Sequence, residues 1–187
     1  MIIDVSRYNR VIDFKKVKAA GVTEVISRIG CNFNADPFYA RNYLRANDAG
    51  MKVASYFVPN WTYDRTLQLE AMAAMLDGVG WNRDSMVWID CEVTNGYSGT
   101  TLRNAIQQFM VSSNVLLGPT VGIYTGRWWW DPNVGQTSWA ANYPLWTAAY
   151  TTVPLIPKGW TKYALWQYSE TGKIDGIPGS TDLNRRP

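Results

Sequence analysis

The chain has 187 residues, 47% of them apolar and 18% charged, which suits one packed domain and excludes intrinsic disorder. Its net charge of +3 comes from dispersed Lys and Arg, so a nucleic-acid partner has no support. It contains no histidine, which excludes Ser-His-Asp and Cys-His catalysis and nearly all zinc sites and leaves acid–base chemistry to carboxylates.

Short runs rich in Val, Ile, Tyr and Trp alternate with helical patterns, the signature of βα units around a parallel sheet. Strands are expected at Met1–Ser6, Glu24–Gly30, Lys52–Val58, Ser85–Val93, Thr120–Thr125, Leu145–Tyr150, Tyr163–Ser169 and Thr181–Asn184. Helices are expected at Phe14–Ala20, Pro37–Ala49 with Gly50 as the stop, Asp64–Leu76, and Thr101–Leu116 ended by Gly118-Pro119. Leu67, Met72, Met75 and Leu76 fall at helical spacing and are assigned to the core. Gly126–Trp139 has room for one short helix, and the later connections, rich in Pro and Gly, read as loops. The expected fold is an irregular, TIM-like β/α barrel of eight strands and about five helices, its last three strands lacking full helices, with an open α/β sheet as the alternative.

Residues 1–187 read as a single domain, with the start of a linker at 185–187 and no second binding module. No apolar run approaches the length of a membrane span, and the N-terminus lacks a basic region followed by an apolar one. The expectation is a monomer with no membrane insertion and no signal peptide. Cys31 and Cys91 are too few for a disulfide framework and are expected as buried free thiols.

The run MVWIDCEV at Met86–Val93 poses the chemical question. Side chains alternate along a strand, so Asp90 and Glu92 share a face while Cys91 takes the other. Two acids in one apolar space repel, and one then holds its proton at neutral pH. Active sites of parallel barrels lie at the C-terminal strand ends, and Asp4 also stands late in its strand, while Asp182 lies in a last strand expected to close against the first. Four carboxylates from three strands would thus meet in one cleft. A protonated and a charged carboxyl flanking a bond are the equipment for glycosidic cleavage, and Glu92, longer and nearer the strand end, is the candidate acid. Taken singly, each acid reads equally well as a cap, a turn residue or a salt-bridge partner. Sugar rings stack on aromatic faces, so Tyr56, Trp61, Tyr124, Tyr150 and Trp166, at or just past strand ends, are candidate substrate contacts. The triplet Trp128-Trp129-Trp130 cannot bury all three rings. No cofactor or metal is expected.

The chain resembles glycoside hydrolase family 25, the lysozymes of phage endolysins and of bacterial and fungal secreted muramidases. The resemblance rests on DVS at Asp4–Ser6, IDFKKVKAAGV at Ile12–Val22, AGMKVASYF at Ala49–Phe57, WIDCE at Trp88–Glu92, VGIYTGRWWW at Val121–Trp130, PLWTAAY at Pro144–Tyr150, LWQYS at Leu165–Ser169 and DLN at Asp182–Asn184. It implies cleavage of the β-1,4 bond between N-acetylmuramic acid and N-acetylglucosamine in peptidoglycan glycan strands at the bacterial cell wall, with retention. It also implies Glu92 as proton donor, Asp90 as its acidic neighbour, and Asp4 and Asp182 as the acids of the first and last strands. The nucleophile would be an aspartate or the substrate's own N-acetyl oxygen. The missing export signal favours a phage lysin released through a holin, with a trimmed secreted enzyme as the alternative. Two departures touch substrate contacts: Phe57, where the family often has His, and Cys31-Asn32-Phe33-Asn34 in place of an acidic or Thr-rich segment. A chitinase-like hydrolase and a non-catalytic peptidoglycan-binding module are the rival readings, the first weakened by Trp88 in place of a further Asp.

Overall fold

The computed structural model describes residues 1–187. Strands β1 (Ile2–Val5), β2 (Glu24–Cys31), β4 (Lys52–Val58), β5 (Val87–Asp90), β6 (Val121–Gly126), β7 (Leu145–Ala148), β8 (Leu165–Gly172) and β9 (Thr181–Arg185) form one sheet, with a two-residue β3 (Asn34–Ala35) folded back on β2. Pairing of β1 with both β2 and β9 closes the sheet, so the expected eight-stranded barrel holds. Helices α1 (Phe14–Ala19), α2 (Tyr39–Asp48), α3 (Arg65–Asp77) and α4 (Gly99–Leu117) lie within a few residues of the helical patterns. Asp13 and Asp64 cap α1 and α3 by accepting backbone N–H bonds, which is why those helices begin where they do. The short α5 (Arg127–Asn133) carries the Trp triplet, with Trp129 and Trp130 buried and Trp128 64% exposed. No further α-helix follows it.

One strand departs from the parallel pattern. β9 runs antiparallel to both neighbours, because the Lys173–Ser180 connection from β8 is too short for a crossover and returns as a hairpin. Its first residues therefore lie at the end of the barrel where the parallel strands finish.

Two cores result from strand alternation. A large one lies between the outward strand faces and the helices, and includes Val25, Phe57, Met72, Ile89, Cys91, Ile106 and Phe109. A small one plugs the barrel with Ile2, Ile26, Ala54, Trp88, Tyr124, Trp146, Ala148 and Leu165. Trp146 is its centre, with ring centroids 4.4 Å from Tyr124, 5.7 Å from Trp88 and 6.2 Å from Tyr56. Truncating such a ring to Ala costs about 3–5 kcal/mol. Gly122 makes room for this plug, since a Cβ there would enter the Trp88 ring. Two core expectations are corrected. Leu67 is 55% exposed because the first turn of α3 turns it outward, and Cys31 is only half-buried, although both thiols are free.

Candidate active site

The plug ends below the mouth, and polar side chains take over above it. Asp4 follows Ile2 on the inner face of β1, Arg28 follows Ile26 on β2, and Tyr56 follows Ala54 on β4. Asp90 follows Trp88 on β5, Gln167 follows Leu165 on β8, and Asp182 and Asn184 alternate on β9. Glu92 lies just past β5, and Cys91 faces the helical layer, as parity requires. The four acids singled out in the sequence thus stand around one mouth, from strands β1, β5 and β9.

Asp4 is the most elaborately held. Its Oδ2 accepts from Asn184 Nδ2 at 2.8 Å and from Gln167 Nε2 at 3.0 Å. Asn184 Oδ1 accepts from the Trp146 indole at 2.8 Å, and Gln167 Oε1 accepts from both Tyr124 and Tyr150 hydroxyls at 2.8 Å. Burial raises the Asp4 carboxyl, whereas Asn184, Gln167 and a hydrogen bond with Asp182 favour its charged form. Asp182 is pushed up to about 8, by burial first and then by the Asp4 charge and their shared hydrogen bond. At neutral pH the pair therefore holds a proton.

Burial also raises Glu92, to about 7, with the Asp182 charge adding to it. Asp90 is held well above the carboxylate range by burial and by the Glu92 and Asp4 charges, while Arg28 opposes this. Arg28 is in turn held by a buried partner, Asp36, whose Oδ2 accepts from Nε at 2.8 Å and pairs with NH2 at 2.7 Å. Asp36 also accepts the backbone N–H groups of Arg7 and Phe38, both at 2.9 Å. The cluster can thus present a loaded acid, Glu92, beside Asp4, whose amide donors Asn184 and Gln167 favour its charged form. No three of its groups converge as a metal-ligand set.

Among the aromatic candidates, Tyr56, Tyr124 and Tyr150 reach this mouth, and Trp61 and Trp166 do not. Trp61 is buried against Phe109 and donates to Val93 O at 2.6 Å, which makes it a brace between the β4 and β5 loops. Trp166 is on the outer face of β8 by parity; it donates to Ala149 O at 2.7 Å and lies 4.2 Å under the Arg185 guanidinium. A hollow of about 470 Å³ beside Trp61, lined by Asn60, Tyr97 and Gln108, contains none of the four acids. A second, of about 400 Å³, joins Trp128 to Tyr150 at the rim. Sequence reasoning missed Arg28, Asp36, Gln167 and Asn184. For Arg28, Gln167 and Asn184 the signal available was a polar residue on the inward parity of a strand; Asp36, just past β3, carried none.

Glycosyl hydrolases family 25 matches residues 3–177. Lysozyme M1 of Streptomyces globisporus is 32% identical over 98% of the chain and 66% of its own length, and the autolytic lysozyme of Clostridium acetobutylicum is 30% identical over 97% and 54%. The chain therefore spans just under two thirds of the one relative and about half of the other. A bacterial lysozyme from Streptomyces coelicolor superposes with a TM-score of 0.87 at 29% identity, covering 98% of this chain and 90% of that one. A Listeria phage P40 endolysin catalytic domain shares the fold, with a TM-score of 0.85 at 21% identity over 100% and 92% of the two chains. With the family pattern covering nearly the whole sequence and the barrel matching throughout, the chain belongs to glycosyl hydrolases family 25.

Proposed function

We propose that the chain hydrolyses the β-1,4 bond between N-acetylmuramic acid and N-acetylglucosamine in bacterial peptidoglycan, acting as a monomer at the cell wall with retention of anomeric configuration. The observation that supports this best is the placement of Glu92 beside Asp90, Asp4 and Asp182 at one barrel mouth, where burial keeps a proton on Glu92 near neutral pH. Glu92 donates that proton to the departing glycosidic oxygen. Asp4, whose amide donors favour its charged form, faces the positive charge that develops at the anomeric carbon, with Asp90 and Asp182 beside it. The nucleophile is an aspartate of the cluster or the substrate's N-acetyl oxygen, and both routes retain configuration. Tyr56, Tyr124 and Tyr150 line the glycan path. No helix is long and apolar enough to cross a membrane.

The test adds wild type and Glu92→Gln to purified cell walls and measures new reducing ends. New N-acetylmuramic acid ends with wild type, and a loss of at least about a hundredfold with the variant, are expected. Equal rates would remove Glu92 as the acid, and N-acetylglucosamine ends would reassign the bond. Proton NMR of the first product anomer reports retention or inversion.

A further inference from the structure

Five hydrogen bonds behind Asp4 form a chain whose direction is fixed at one end. The Trp146 indole N–H can only donate, so Asn184 must present Oδ1 to it and turn Nδ2 toward Asp4. Asp4 Oδ2 is then an acceptor, and Gln167, which meets that same oxygen, must present its NH2 group. Gln167 Oε1 is left facing the hydroxyls of Tyr124 and Tyr150, and an amide oxygen can only accept. Each tyrosine has one O–H proton, and both are committed to Gln167. Neither hydroxyl makes another hydrogen bond within the protein.

We infer that Tyr124 and Tyr150 meet the substrate as hydrogen-bond acceptors, that the sugar group docked on them is a donor (N–H or O–H), and that Gln167 is the positioning residue that sets this sense. A carbonyl or ether oxygen placed there would face lone pairs and leave the site unsatisfied, which is a strong basis for discrimination. The direction of the chain stands on contacts within the protein. Only the identity of the sugar rests on the proposed function.

Neutron diffraction from deuterated crystals tests the direction itself. Deuterium is expected between each tyrosine Oη and Gln167 Oε1, and deuterium pointing into the mouth would overturn the inference. Crystals of Glu92→Gln soaked with the β-1,4-linked tetramer of N-acetylglucosamine should place a sugar N–D or O–D against Tyr124 or Tyr150, and a carbonyl there would also overturn it. A tetramer that does not bind at all counts against the glycan reading, while the neutron map still decides the direction. In turnover, Gln167→Glu keeps the accepting oxygen but sets a second carboxyl against Asp4, so the acid limb of the pH–rate profile should rise by about one unit. Gln167→Met releases both hydroxyl protons and should raise KM about tenfold. A Gln167→Glu profile superimposable on wild type would reject the positioning role.

Discussion

Asp4 and Asp182 are direct partners across the antiparallel β1–β9 pair, so their carboxyls leave the sheet on the same inner face. Opposed like charges in a buried pair are unfavourable; both carboxyls are raised, Asp182 to about 8, so the pair keeps a proton at neutral pH.

Stability should depend on pH through these protons. Glu92 moves from 4.5 to about 7 and Asp182 from 3.8 to about 8 on folding, so between those values the folded chain holds protons that the unfolded chain has shed. The stability they contribute is full below the unfolded values and is lost as pH rises through the folded ones. At pH 8, Asp182→Asn and Glu92→Gln should each be more stable than wild type by roughly 1–3 kcal/mol, after allowance for solvent screening. Urea melts at pH 4 and pH 8 would check this; a gain as large at pH 4 would contradict it.

Activity should carry the same proton. If Glu92 is the donor, kcat falls about tenfold per unit as pH climbs beyond its value of about 7. A profile flat from about pH 6 to 9 would point to a different acid.

The Arg28–Asp36 pair should be a structural keystone with an electrostatic consequence. Asp36→Ala strands a buried guanidinium and two backbone N–H groups, at a cost of about 3–5 kcal/mol. Arg28→Met removes the one cation that lowers Asp90, which should shift the pH–rate profile toward alkaline pH. Thermal melts and pH profiles of both variants separate the two effects.

Trp166→Phe and Trp61→Phe should leave kcat/KM within about threefold of wild type, because each indole braces a loop away from the acids. Each loses one buried hydrogen bond, worth about 1–2 kcal/mol in a denaturant melt. A hundredfold loss of turnover in either, with the fold intact, would restore that Trp to the glycan path.

Most of the barrel was legible because its information is local: apolar runs for strands, Asp13 and Asp64 as caps, Gly50 and Gly118 as stops. The direction of β9 was not, since it turns on where β8 ends. A strand ending at Ser169 leaves room for a crossover, and the observed end at Gly172 does not. The acids announced themselves by standing in apolar strands. Their holders did not, because Gln167 and Asn184 gain meaning only from Asp4, Tyr124 and Trp146, which come from remote parts of the chain. Trp61 and Trp166 stand apart from the acids because sequence position near a strand end does not fix the direction in which a ring points.

Closure through β9 also has a kinetic meaning. The acids of β1 and β9 meet only when the ends of the chain pair, a contact of very long sequence separation that forms late and slowly in folding. Until then Asp4 lacks Asn184 and Asp182, and the mouth has no complete set of charges. A partly folded chain with an open sheet is then chemically silent, so recovery of catalysis during refolding should lag behind recovery of secondary structure and report the final closing event.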